Sequence, residues 1–357
     1  MDVAVIGTGL IGTSIGLAAM RALGGRVRAF DADPEALAAA AGRGLEPVGV
    51  IEEAASASEL TFVCTPVPAI VPAAVQALRS TGAVVTDAGS VKASVLEDLA
   101  AQEADQARFV GGHPLTGSER TGAAAASPVL LDGAVWALTP TGSTDPAAVE
   151  LVEDTVRRMG ADPVRLEPHR HDAIVAMVSH LPQLVSTALM QTAAGRASQE
   201  PGLLLLAAGG FRDLTRLAAS GPELWADILL ENRGPIAEAV AAMEAGLDDL
   251  LGMIEAGDRA GILEAFREAK SARLALAAKP QARLGVAILA IPIPDRPGAL
   301  AGITGVLAER GVNIEDIEIV HTAEGARGTV HLTVSEGDAD DAIEALISAT
   351  HQVVRLA

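Results

Sequence analysis

Tyrosine is absent from this chain, and cysteine occurs once, at Cys64. A single cysteine excludes an intramolecular disulfide, which suits a reducing compartment and sets the expectation of a cytoplasmic protein. Aromatic side chains are scarce, with five Phe and two Trp, so the core is expected to consist of Ala, Val, Leu and Ile. Positive charge is also short: 26 Lys and Arg stand against 46 Asp and Glu, a formal charge of −20. That balance excludes a nucleic-acid partner, because the phosphate backbone selects for Lys and Arg. An anionic ligand needs a local basic pocket within this acidic field. The first apolar run starts at Val3 with no basic region before it, so no signal peptide is expected. No apolar stretch reaches bilayer length without charges or helix breakers, and no membrane partner is expected.

What is present is a chain of 357 residues, half apolar and one fifth charged, long enough for two or three globular domains. Its first half alternates short apolar runs with Ala-rich helical patterns. Val3–Ile6, Val27–Phe30, Leu60–Val63 and Ala83–Thr86 read as buried parallel strands, with Phe109–Gly112 and Ala134–Leu138 as later strands of the same sheet. Strand–helix alternation of this kind predicts a doubly wound parallel α/β sheet. From His171 to Lys279 only helical periodicity is found, including Pro235–Glu255 and Arg259–Ala278. Ala277–Arg283 reads as a linker. The last segment follows a βαββαβ order, a ferredoxin-like unit carrying 4 basic and 11 acidic residues. The expected domains are 1–165, a Rossmann-type nucleotide-binding domain; 166–280, an all-α substrate and dimerisation domain; and 284–357, a small regulatory domain.

Gly7, Gly9 and Gly12, with Leu10 and Ile11 between them, form G-x-G-x-x-G between a strand and a helix. The first glycine permits the tight turn, the second lets backbone approach a pyrophosphate, and the third lets helix and strand pack closely. The helix start offers free N–H groups to the phosphates. Asp31 ends the next strand 24 residues after Gly7, where an acid accepts hydrogen bonds from ribose hydroxyls and repels an extra phosphate. NAD is therefore expected over NADP. Thr65 and Pro66 end another strand at the same sheet edge, where ligands of open α/β sheets bind. Cys64 beside them reads as a buried apolar residue, not an activated thiolate.

Four segments hold polar residues that packing does not explain: Asp87–Lys92, Gly111–Glu119, His171-Asp172 with Ser179–Pro182, and Gly209–Arg216. Arg212 and Arg216 are four apart and share a helix face, so they suit an anion clamp, with a surface Asp213–Arg216 pair as the bland alternative. Pro182 should disturb the helix around Val178 and expose backbone polarity beside His180. His171, nine residues before His180, would point the opposite way on one straight helix, and is expected to be structural, capping or pairing locally. No cluster has metal-ligand spacing, and no metal is expected.

With these segments in hand, the sequence resembles the prephenate/arogenate dehydrogenase family over roughly residues 1–280. Gly-Leu-Ile-Gly at 9–12, Asp-Ala-Gly-Ser-Val-Lys at 87–92, Gly-Gly-His-Pro at 111–114, Ser-His-Leu-Pro at 179–182 and Phe-Arg-Asp-Leu-Thr-Arg at 211–216 carry the likeness. The resemblance implies oxidative decarboxylation in tyrosine biosynthesis, with hydride passing from a ring carbon to NAD as the ring carboxylate leaves. It implies that His113 accepts from the substrate hydroxyl and that Ser90 is a second hydrogen-bond partner. It places His180 near the substrate side chain, Arg216 on a substrate carboxylate, and Ser118 and Glu119 at the pocket mouth. Arg212 is a weaker substrate candidate. The last segment resembles an ACT domain, through Pro-Asp-Arg-Pro-Gly-Ala-Leu at 294–300 and Gly-Val-Asn-Ile at 311–314. That resemblance implies an amino-acid site around Asp295, Gly298, Ala299, Asn313 and Ile314, with tyrosine the expected regulator. A homodimer is expected.

Three other readings stay open. Arogenate dehydrogenase differs only in a keto or amino group on the substrate. A β-hydroxyacid dehydrogenase shares the architecture but usually needs a lysine that is missing between His171 and Arg216. A silent NAD-binding sensor would have little reason to keep Ser90, His113, His180 and Arg216 together.

Overall fold

The computed structural model describes residues 1–116, 120–197, 199–200, 202–277, 286–294, 296–321 and 327–356. The chain divides into two compact units, Met1–Glu244 and Ala245–Ala357.

In the first unit, apolar runs form the strands β1 (Val3–Ile6), β2 (Val27–Phe30), β3 (Glu46–Pro47), β4 (Leu60–Val63), β5 (Val84–Asp87), β6 (Phe109–Pro114), β7 (Val135–Thr139) and β8 (Asp162–Arg165). They make one sheet in the order β3-β2-β1-β4-β5-β6-β7-β8. The helices α1 (Leu10–Leu23), α2 (Pro34–Ala41), α3 (Ile51–Ser56), α4 (Val67–Ser80), α5 (Ala93–Ala101) and α6 (Pro146–Arg158) alternate with the strands. Ile15, Ala19 and Leu23 of α1 and Val149, Val152 and Val156 of α6 bury one sheet face. Ile70, Ala74 and Leu78 of α4 and Val95 and Leu99 of α5 bury the other. Covered on both faces, the strands carry continuous apolar runs, with all four residues of β1 and of β4 buried. The doubly wound expectation is met, with one difference: β7 runs antiparallel to β6. The described part of the connection between them holds only the short 3₁₀ turn Ala123–Ala125. A parallel return needs a crossover, usually a helix.

After β8 the chain is helical: α7 (Pro168–Val175), a π turn over Ala176–His180, α8 (Leu181–Ala197), α9 (Gly209–Thr215), α10 (Pro222–Glu231), α11 (Arg233–Ala256) and α12 (Arg259–Ala277). Trp225 and Ile228 of α10 pack into the sheet face lined by α4 and α5. The run Pro168–Ala197 holds an 18-residue stretch of mean hydropathy 1.5, long and apolar enough to cross a membrane by length and composition. Pro182 lies within it without ending the helix, and buried Gln183 and Ser186 are bonded to the Leu217 carbonyl and the Ala218 amide.

The second unit contains β9 (Val286–Pro294), α13 (Ala299–Glu309), β10 (Ile314–His321), β11 (Arg327–Ser335), α14 (Ala339–Ser348) and β12 (Val354–Arg355). Its antiparallel sheet runs β10-β11-β9-β12. Ile303 and Leu307 of α13 and Ala342 and Leu346 of α14 close one face over Leu289, Ile291, Val330 and Leu332. The βαββαβ order expected for this segment is the observed one.

Candidate active site

β1 and β4 are neighbours, while the chain's order reverses between them, so their carboxyl ends open the crevice typical of doubly wound sheets. Gly7 sits there with φ +94°, and a Cβ on it would lie 2.6 Å from the Cys64 carbonyl oxygen. A Cβ on Gly12 would lie 1.9 Å from the Gly7 carbonyl oxygen. Gly9 is different: nothing lies within 4 Å of its would-be Cβ. Two glycines thus close the turn on itself, and the third leaves the approach to α1 clear. Gly9 is the N-cap of α1 with no side-chain cap and no acid in the first turn, so the N–H groups at Leu10 and Ile11 have no side-chain acceptor from the cap. This geometry fits a dinucleotide pyrophosphate. Asp31 follows β2, and its carboxylate accepts from the Thr8 backbone N–H (2.6 Å), the Thr8 hydroxyl (2.9 Å) and the Asp33 N–H (2.9 Å). Thr65 places a buried, unpartnered hydroxyl after β4, and Pro66 caps α4. Burial, with Asp87 nearby, pushes the Cys64 thiol up, which leaves it unreactive.

Further along the same sheet edge, β6 delivers His113. Its approach is fixed by a buried ion pair. Asp87 ends β5 and receives the Lys92 ammonium, the Gly89 N–H (2.9 Å) and the Gly112 N–H (3.0 Å). Lys92 also donates to the Gly112 carbonyl (2.8 Å). The pair therefore grips both polar groups of the residue before His113. Glycine is required there, since a Cβ on Gly112 would lie 2.6 Å from the Asp87 carbonyl oxygen. Burial draws the Lys92 ammonium below its ordinary range, and Asp87 opposes that. Ser90 lies in the same loop, half-buried.

His113 Nδ1 is 2.9 Å from His171 Nε2, and the rings meet edge to face with centroids 5.1 Å apart. His171 Nδ1 is in turn 2.8 Å from Asp172 Oδ1. Asp172 also accepts from the N–H groups of Lys92 (2.9 Å) and Ala93 (2.8 Å), at the start of α5. Asn232 donates to the Asp172 carbonyl (2.9 Å) and meets His180 Nδ1 at 3.1 Å. Trp225 stands edge-on to His180, at 5.9 Å. His113, His171, Asp172, Asn232 and His180 are thus one connected group. The local pairing expected of His171 is present, with Asp172, but the ring also touches His113. The opposite-facing geometry assumed for His171 and His180 holds only on a regular helix. The π turn at Ala176–His180 widens the helix and shifts the phase of the residues after it. Pro182, which cannot donate, lies just beyond that turn.

Burial holds the His113 imidazole well below its ordinary value, and His171, Lys92 and His180 add to that in this order. Burial pushes His180 down to about 4, against Asp172 and with His171. Both rings are neutral near neutral pH. A neutral ring on His113 can take a proton, which a cationic one cannot.

Comparison with known proteins matches this arrangement along nearly the whole chain. Residues 17–164 match the prephenate dehydrogenase nucleotide-binding domain, 167–268 the prephenate dehydrogenase dimerization domain, and 288–349 the ACT domain. Prephenate dehydrogenase of Bacillus subtilis is 31% identical over 96% of this chain and 94% of its own length. The chain belongs to the prephenate dehydrogenase family. Among solved structures, the prephenate dehydrogenase of Aquifex aeolicus, in complex with hydroxyphenyl propionate and NAD⁺, is 30% identical with a TM-score of 0.72, over 77% of this chain and 98% of that one. Synechocystis arogenate dehydrogenase is 28% identical with a TM-score of 0.67, over 76% of this chain and 99% of that one. Of the remaining candidate residues, Arg212 lies on α9 and Arg216 at its C-cap, both exposed. Gln183 and Ser186 of α8 bond the turn after α9, which ties this segment to the helix that begins after His180. Ser118 and Glu119 lie outside the described residues.

In the second unit, Asp295 also lies outside the described residues. Gly298 (φ +87°) and Ala299, with Ile293, Pro294, Arg296, Leu300, Ile319 and Gly328, line a cavity of about 170 Å³. Asn313 and Ile314 do not line it, and the Asn313 amide donates to Glu315 (2.5 Å).

Proposed function

We propose that this chain catalyses NAD-dependent oxidative decarboxylation of prephenate to 4-hydroxyphenylpyruvate, with His113 as the base. The observation that carries the reading is a half-buried, neutral imidazole, hydrogen-bonded to His171 and delivered by β6 to the carboxyl edge of a dinucleotide-binding sheet. Gly9, the start of α1 and Asp31 hold the cofactor, and bound NAD supplies the hydride acceptor. His113 takes the hydroxyl proton as the ring C–H bond gives up its electron pair. The bond to the ring carboxylate then breaks, its electrons complete the aromatic ring, and His113 returns the proton to the phenolate oxygen. Ser90 shares the hydroxyl. Arg216, with Arg212 as an outer partner, offsets substrate carboxylate charge. His180 meets the substrate side chain.

The segment that begins at Val286 is a regulatory module for a free amino acid, tyrosine by the logic of end-product control. The catalytic part forms a homodimer: exposed Met177, Val178, Leu205, Leu206 and Leu214 give the helical region the apolar surface a subunit contact needs. The specificity test is kcat/KM for prephenate and arogenate, each with NAD and with NADP. Prephenate with NAD is expected to lead, and a clear lead for arogenate assigns the chain to that substrate.

A further inference from the structure

His113 and His180 lie at two ends of one hydrogen-bonded group, and donor–acceptor bookkeeping fixes where each ring carries its proton. Both oxygens of Asp172 receive N–H donors, from Lys92 and Ala93. Toward His171 it therefore acts as an acceptor, so His171 Nδ1 donates, and a ring with one proton keeps its lone pair on Nε2. That lone pair can be met only by N–H on His113 Nδ1. His113 Nε2 is then left as an acceptor. On the other branch, the Asp172 carbonyl is met by the amide nitrogen of Asn232, so the same nitrogen donates to His180 Nδ1. His180 then carries its proton on Nε2.

We propose that Asp172 sets opposite tautomers on the two histidines, acting through His171 on His113 and through Asn232 on His180. His113 presents an acceptor at Nε2 and His180 a donor at Nε2. On the functional reading above, on which this consequence rests, the acceptor suits a hydroxyl that must lose its proton. The donor suits the keto or carboxylate oxygens of a prephenate side chain and opposes an ammonium. When His113 holds the substrate proton, its positive charge is passed toward His171 and balanced by Asp172. His171, Asp172 and Asn232 are positioning residues in this scheme. Sequence spacing hides them because the π turn and the junction of α10 with α11 bring them together.

The test is nitrogen NMR of the full-length chain labelled at histidine, at neutral pH, with kinetics on the same samples. The expected spectrum has His113 protonated at Nδ1 and His180 at Nε2. His171→Phe removes the acceptor, so the His113 Nδ1 proton signature is lost and kcat falls roughly 10- to 100-fold, as when an outer partner of an imidazole is removed. KM stays within about threefold, and the acid limb of kcat moves. His171→Gln keeps a carbonyl that can accept and restores part of kcat. Asn232→Asp can only accept at its side chain, so His180 moves to the Nδ1–H form and KM for prephenate rises more than kcat falls. A wild-type His113 protonated at Nε2 overturns the proposal. So do variants that lower the melting temperature while both tautomers and kcat stay as in the wild type. If the wild type turns over neither substrate, the functional reading fails, while the tautomers are still decided by the spectra alone.

Discussion

His113 can act as a base only while its ring is neutral. The buried surroundings, with His171, Lys92 and His180 adding positive character, extend that condition below the ordinary value of 6.5. The acid limb of kcat is therefore expected below pH 6.5, and a profile that loses activity at or above that value contradicts the assignment. His113→Asn keeps ring-sized polarity but no usable base, so kcat should fall by roughly 10²- to 10⁴-fold with KM little changed. Folding carries the same sign. Below pH 6.5 the unfolded chain protonates histidines that the folded chain keeps neutral, His180 down to about 4. The unfolded state then binds more protons, so stability falls as pH drops from 6.5 toward 4. Thermal melts across that window check the direction. At this scale the sequence shows His113, His180 and Arg216, because each sits in a motif. Lys92 and Asp172 fall in segments that the sequence singles out but are given no role there, and Asn232 falls in none; their work is to hold backbone and ring nitrogens that only the fold brings near.

The glycine turn is readable as an element because its three glycines have separate steric duties. Those duties make distinct predictions. Gly9→Ala adds a methyl in open space, so the melting temperature should hold while NAD affinity drops. Gly12→Ala drives a methyl into the Gly7 carbonyl and should destabilise the fold itself. Equal melting temperatures for the two variants would contradict the division. Strands β1, β2 and β4 coincide with the runs read for them; β1 and β4 are buried at every position, while β2 alternates buried Val27 and Ala29 with half-buried Arg28 and Phe30. β3 and β8 escape it: they lie at the two sheet edges, and Glu46-Pro47 and Asp162–Arg165 carry no apolar run. The antiparallel turn of β7 is equally hidden, being decided by the connection and not by the strand.

For the whole molecule, the helical region is the least self-sufficient part. α12 has no buried residue among those described, and Leu205, Leu206 and Phe266 are exposed. A solution mass of twice that of the chain is expected, and a monomer at working concentration contradicts the homodimer. Tyrosine added to the full-length chain should inhibit turnover, and removal of residues 284–357 should abolish inhibition while activity remains. Charge informs on partners only at the coarsest level: −20 overall sets the expectation of no nucleic-acid partner and does not single out the arginines proposed to bind carboxylate. The central claim is the reaction itself. Purified full-length chain, given prephenate and NAD, should form NADH and carbon dioxide in equal amounts, with 4-hydroxyphenylpyruvate as product. Absence of NADH with both prephenate and arogenate contradicts the account.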